Sequence, residues 1–439
     1  MAGNASQGDP RTTLEFLLRQ QPRTYDEIVA DFERLAAKLG EDVTLSARHL
    51  RRLARGERAS TTPVTRRVLQ QMFGRPLDEL LAPWAGALPA VDEPTGLVLT
   101  TGRPTADREL IEMAARRAKA FAFTAGQTDL TADVMEQVHA DVQSLAMDYP
   151  QRPLSDLLPD LITAQDTIYS LLEQQRRPAQ GRQLYFLAGV TGGLLAKASH
   201  DLADPHAALT QARTAFVCAD NADHNGLRAW IRGIQSLVSY WAGRTRESVR
   251  YAQSGAEFAA VNSSSVWLPM NEARAHAALG DAHAARAAIE RAERAWDSVQ
   301  EDEVDELGGL CLFGRTRQIY YAAEALSWLP SQSTAANEYA VRAVAAYEDD
   351  SSPEWAFGDQ AGARSALAIT RIQMGELEGA TEAVAPVLDL APEQRINGII
   401  NCTQRVHQAL RDSPLARDAS SLQERIETFT RTPLKSLPR

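Results

Sequence analysis

Five short turn signals recur between residues 203 and 375 of the chain, at Ala203, Gly243, Gly280, Ser331 and Gly375. Five residues after each comes a small side chain: Ala208, Ser248, Ala285, Ala336 and Ala380. Seven residues further on stand Ala215, Gly255, Ala292, Ala343 and Val387, again small or modest. Seven residues upstream of the turns lie Ala196 (beside Lys197), Ser236, Ala273, Glu324 and Ala368. Small side chains at fixed offsets on both sides of a turn let two antiparallel helices cross closely and let the next pair stack on them. The surrounding segments are rich in Ala, Leu, Glu, Arg and Gln and lack a convincing run of alternating β-branched residues, so they are predicted to be helical. Such a pattern favours a helical array over a single globular core.

This spacing is that of the tetratricopeptide (TPR) repeat, and Pro392 falls after the last copy, where that repeat often carries proline. Successive turns are separated by 40, 37, 51 and 44 residues, against about 34 in the ideal repeat. The expected body is therefore TPR-like, with elongated helices or inserted loops; an irregular Ala-rich bundle is the alternative. A length of 439 residues fits, since one domain usually holds about 100 to 200. Ahead of the array, Ala82 to Thr105 is rich in proline and glycine without helical periodicity. The fold class expected is all-α: an N-terminal unit over residues 1–83, a linker over 84–105, and the repeat body over 106–439.

Charge divides along the same line. The net charge of −11 hides +2 over residues 1–84 and −13 over the remainder, an asymmetry expected when a nucleic-acid-binding module is joined to an acidic body. Between Arg48 and Arg67 stand seven arginines and a single acid, Glu57. Tyr25 to Leu39 carries an apolar stripe of Ile28, Val29, Phe32, Leu35, Ala36 and Leu39 and is predicted to be a helix. Ser46 then caps a second helix from Ala47 to about Ala54, stopped by Gly56. That helix sets Leu50 and Leu53 against Arg48, Arg52 and Arg55, with His49 and Arg51 on the flanks. Helix, turn and basic helix is the helix-turn-helix arrangement, in which the second helix enters the major groove. Ser46, Arg48, His49 and Arg52 are the candidates for base readout, because an arginine fork matches guanine O6 and N7. Arg51, Arg55, Arg58, Arg66 and Arg67 are the candidates for phosphate contact. A solvated basic face on an unrelated helix pair is the competing reading.

The stretch LSARHLRRLARGERASTTPVTRRVLQQMFGRPLDELL resembles the DNA-binding domain of XRE, or lambda-repressor-like, transcriptional regulators, particularly their actinobacterial branch. The stretch from RPAQGRQLYFLAGV to LVSYWAGR, with DELGGL and PEQRINGII, resembles the TPR-like body of the same regulators. This likeness implies regulation of transcription. Because helix-turn-helix proteins usually read two half-sites, a homodimer on a palindromic double-stranded DNA operator is expected.

Six of the seven tryptophans lie between residues 230 and 355, where a concave helical surface would hold a peptide or small-molecule effector. The candidates for that groove are Arg228, Arg232, Gln235, Trp267, Asn271, Arg317, Tyr320 and Tyr321. No cofactor, metal or enzyme activity is expected. HExxH, GxSxG, GxGxxG and GxxxxGK[ST] patterns do not occur, and Cys218, Cys311 and Cys402 are too far apart for a zinc cluster. Leu184 to Ala196, nearly apolar over 13 residues, is too short to span a membrane and reads as a buried helix. Met1 to Pro10 does not read as a secretion signal, and a cytoplasmic, nucleoid-associated protein is expected. The alternative function is a TPR scaffold that binds protein instead of DNA.

Overall fold

The computed structural model describes residues 10–20, 23–38, 41, 43–58, 61–73, 75–84, 115, 117–118, 130–174, 178–258 and 260–434. The linker expected over 84–105 lies outside them beyond Trp84. The chain divides into two units, Met1–Asp107 and Arg108–Arg439. All regular elements among the described residues are helical.

The first unit contains α1 (Thr13–Gln20), α2 (Tyr25–Lys38), α3 (Ala47–Ala54), α4 (Pro63–Phe73) and α5 (Leu77–Leu81). Its core is Leu14, Leu18, Ile28, Phe32, Leu45, Leu50, Leu53, Val68, Leu69, Leu77 and Leu80, drawn from every helix and from the turn before α3. The periodicity that predicted α2 therefore buries as expected for Ile28, Phe32 and Ala36. The two ends of the unit are tied together: Thr13 N–H donates to Ala82 O, Trp84 N–H donates to Arg11 O, and the Phe16 and Trp84 rings stack 3.8 Å apart. Buried Thr12 donates its hydroxyl to Ala54 O, satisfying a carbonyl at the end of α3.

The second unit is a succession of helical hairpins. Helices α6 (Ala132–Asp148) and α7 (Leu154–Leu172) precede α8 (Pro178–Asp201) and α9 (Pro205–Ala222). Then follow α10 (Asn225–Trp241) with α11 (Thr245–Ala256), and α12 (Ser264–Ala278) with α13 (Ala282–Ala295). The last three pairs are α14 (Arg315–Leu326) with α15 (Ser333–Ala346), α16 (Phe357–Gln373) with α17 (Leu377–Leu388), and α18 (Asn397–Arg411) with α19 (Ser420–Thr430). The pairs α6–α7 and α18–α19 extend the array beyond the five copies legible in the sequence.

Four of the five predicted turns share one geometry. Ala203, Gly243, Gly280 and Gly375 all have left-handed backbone, with φ between 62° and 85°. In each, the turn residue donates to the carbonyl three residues back and its successor to the carbonyl five back, as in Gly280 N–H to Ala277 O and Asp281 N–H to His276 O. This pairing satisfies the last carbonyls of the preceding helix. Asp204 and Asp281 then cap the next helix through the backbone N–H groups of Ala207 and Ala284. Ser331 differs: it sits inside a short 3₁₀ turn, Pro330–Gln332, because proline fixes its own φ and lacks the N–H.

The small residues do the work their spacing implied. Ala208, Ser248, Ala285, Ala336 and Ala380 are all fully buried between the two helices of a pair. Ser236 donates to Ser248 O at 2.8 Å across the α10–α11 crossing. Glycine serves the same end between neighbouring pairs: a Cβ on Gly193 would lie 2.1 Å from the Trp230 ring, and one on Gly233 would lie 2.5 Å from the Trp267 ring. Each tryptophan thus fills the space of a missing side chain on the preceding pair.

Consecutive first helices pack side by side in the order α8, α10, α12, α14, α16 and α18, and α18 also touches α8. The ring of first helices is completed by α6, which packs on the turns Asp305–Leu307 and Gly309–Cys311, and by Phe357 N–H donating to Pro150 O. The predicted buried helix is α8, in which Phe186 to Ala196 are buried without interruption.

Candidate functional sites

An arginine face lies on α3. Its N-terminus is fixed by Ser46, whose hydroxyl accepts from His49 N–H at 3.2 Å, and its C-terminus by Gly56 in left-handed backbone. Leu50, Leu53 and Ala54 are buried, which forces Arg48, Arg51, Arg52 and Arg55 outward, and all four are exposed, as is Arg58 beyond the helix. Arg48 makes no ion pair or hydrogen bond with another described side chain. Arg52 and Arg55 approach Glu57 only at 3.8 and 4.0 Å, so this single acid neutralises little of the face. Arg51 stacks over the Tyr25 ring at 5.0 Å, which anchors α3 to α2. Partial burial, reinforced by Arg58 and Arg52, holds His49 below the usual histidine range and favours its neutral form. Two predicted phosphate contacts are engaged elsewhere: Arg66 pairs with Asp78 and Arg67 with Glu41, both at 2.6 Å.

A second site lies in the other unit, where the six first helices α8, α10, α12, α14, α16 and α18 surround a cavity of about 90 Å³. Its walls include Trp241, Trp267, Phe313, Tyr320, Tyr321 and Phe357, and its polar groups are Lys197, His200, Asp201, Arg274, Arg317 and Asp359. Lys197 Nζ bridges both oxygens of Asp201, which also accepts from Tyr149 OH at 2.8 Å. Arg317 pairs with Asp359 at 2.7 Å and donates to Leu312 O. Burial works against its charge, but the Asp359 carboxylate overrides it and raises the Arg317 pKa. His200 is driven the other way, to about 4, by burial aided by Lys197 and Arg274 and against the pull of Asp201, so it is neutral at pH 7.

Arg274 is the central group. It is 1% exposed, and its guanidinium lies 4.4 Å from the Tyr240 ring centre, 5.1 Å from Trp241 and 4.2 Å from Tyr321. Its Nε sits 2.5 Å from Glu324 Oε2. The other Glu324 oxygen accepts from Tyr240 OH at 2.6 Å and from Arg405 Nη1 at 2.9 Å. One fully buried carboxylate therefore serves two arginines and a tyrosine, and the Glu324 attraction raises the Arg274 pKa despite the opposing effect of burial.

Of the groove candidates, Trp267, Arg317, Tyr320 and Tyr321 come together on this cavity, and four do not. Arg228 is held by Asp220, Asp223 and Asn225 at the start of α10. Arg232 stacks on Phe216 at 3.9 Å and donates to Gln235. These three share one face of α10 at i, i+4 and i+7, whereas its cavity residues Ile234, Leu237 and Trp241 belong to another. Asn271 is spent on Gly233 O, between α12 and α10. Sequence reasoning missed Lys197, His200, Asp201, Arg274 and Asp359. One signal was available: Glu324 is the only charged residue in a column otherwise made of Ala196, Ser236, Ala273 and Ala368, and all five positions are buried.

Comparison with protein-family models, with curated proteins and with solved structures finds no match for this chain.

Proposed function

We propose that this protein is a sequence-specific DNA-binding transcriptional regulator of the XRE type, whose N-terminal helix-turn-helix unit reads an operator and whose TPR-like solenoid senses an effector and mediates dimerisation. The observation that carries the reading is the exposed arginine face of α3, built on a helix whose two ends are locally fixed and opposed by one acid. Arginines held outward on a rigid helix can meet base edges and phosphates without reorganising the unit. Arg48 and Arg52 are the base readers and Arg51, Arg55 and Arg58 the phosphate contacts. Arg66 and Arg67 contribute less, because a phosphate must first displace Asp78 or Glu41. The small volume of the cavity in the second unit, about 90 Å³, favours a small molecule over a peptide as effector.

The test is fluorescence anisotropy of the full-length protein on genomic DNA fragments over a salt series. Three to five neutralised phosphates give a log–log slope of about −3 to −5. Arg52→Ala should relax sequence preference, and Arg55→Ala should weaken all sequences alike. No binding even at low salt sinks the regulator reading and leaves a protein-binding scaffold. A homodimer is expected by light scattering, and a monomer both free and on DNA contradicts two-half-site recognition.

A further inference from the structure

We propose that the ring of first helices encloses a binding site for a single-ring organic carboxylate, with the carboxylate on the terminal nitrogens of Arg274 and the ring between Trp241, Trp267, Phe313 and Tyr321. This rests on the effector-sensing half of the function proposed above and is independent of its DNA-binding half.

Three observations converge on it. A guanidinium carries five N–H donors, and the one on Arg274 Nε faces Glu324, while neither Nη1 nor Nη2 hydrogen-bonds to any other described residue. Arg274 is 1% exposed and lines the cavity, and even its buried Nε, 2.5 Å from Glu324, makes no aligned hydrogen bond, so the guanidinium is short of acceptors in a place where that is costly. The charges point the same way. The lining cations Lys197, Arg274 and Arg317 each face one carboxylate, Asp201, Glu324 and Asp359, but Glu324 is shared with Arg405, so Arg274 holds only part of its counter-charge and can take a further anion. His200, pushed down to about 4, adds no charge. Size and lining decide which kind. At roughly 10–15 Å³ per water, a 90 Å³ cavity takes several waters or one ring with a short acidic arm. Aromatic walls suit a ring better than an inorganic ion. A fork of two parallel N–H groups matches a carboxylate bidentately.

The experiment titrates the full-length protein by calorimetry and thermal shift with benzoate, phenylacetate and 4-hydroxyphenylacetate. The corresponding amides, chloride and inorganic phosphate are run beside them. Saturable heat and a raised melting temperature are expected with at least one carboxylate, and binding of its amide should be at least about tenfold weaker. Arg274→Lys keeps the charge and loses the fork, and should weaken the carboxylate by about tenfold or more. Should that variant fail to fold, the carboxylate-against-amide comparison on the wild-type protein still decides. Equal binding of acid and amide, no response to any of the three acids, or an equal response to chloride or phosphate each overturns the proposal. DNA binding retained without a carboxylate response removes this site and leaves the regulator reading; a carboxylate response without DNA binding does the reverse.

Discussion

Glu324→Gln is the substitution with the most to say about the second unit. The glutamine keeps the shape of the side chain and can still accept from Tyr240 OH, but it leaves Arg274 and Arg405 facing a neutral group where they now lie 2.5 and 2.9 Å from a carboxylate oxygen. At an effective dielectric constant of about 20, unit charges 4 Å apart attract by about 4 kcal/mol. Removing one partner of a buried pair costs about 3–5 kcal/mol net, after the carboxylate's own desolvation is recovered. Glu324 is 1% exposed, so solvent screening reduces this little. With a urea dependence of about 3 kcal/mol per molar, the unfolding midpoint should fall by roughly 1 M or more. Arg405→Gln in the same background should recover part of the loss, since it removes one of the stranded charges. A loss below about 1 kcal/mol, the range of exposed ion pairs, refutes the reasoning. It would mean that water reaches the cluster, and the sharing of Glu324 between Arg274 and Arg405 would no longer leave Arg274 short of an anion.

The turn geometry predicts an opposite sign at Ala203, which holds φ at 62° where Gly243, Gly280 and Gly375 occupy equivalent turns. Ala203→Gly should stabilise by about 0.5–1 kcal/mol, the left-handed cost of a Cβ less the added freedom of the unfolded chain, and a lowered urea midpoint would contradict it. His200 predicts a pH dependence. Its folded pKa, about 4, lies below the ordinary 6.5, so the unfolded chain takes the proton first. Its contribution is intact above pH 6.5 and is lost as pH falls towards 4, by at most about 3 kcal/mol. Asp305, raised to about 6 by burial, works in the opposite direction over an overlapping range. The check is therefore the difference in slope between wild type and His200→Gln from pH 7 to pH 4.5; parallel curves would show that His200 is protonated in the folded state. In the first unit, Ser46→Ala removes the α3 cap and should cost about 1 kcal/mol, read as a lower melting temperature; no change would show that packing alone holds that turn.

Local chemistry made the first unit legible. Ser46 and Gly56 bracket α3 because capping and left-handed turns depend on residues a few positions apart, and the core-facing leucines leave the arginines only one way to point. Small turn and crossing residues are likewise near-neighbour requirements, so all five hairpins announced themselves, four of them at left-handed turns. Ser331 shows the limit: a neighbouring proline changed the turn without changing the pairing of the helices.

The cavity was not legible in this way. Arg274 and Glu324 are 50 residues apart and Arg405 is a further 81, and none of them carries a local mark of its partner. Arg228 and Arg232 looked as suitable as Arg317, yet the helix turn at which each falls sends the first two to Asp220, Asp223 and Phe216 and only the third to the cavity. By itself the sequence determined the helices, most of their turns and the arginine face, because each depends on contacts within one or two turns of chain. Which buried charges meet, and around what space, only the tertiary structure decided, because that depends on how six helices close around one another.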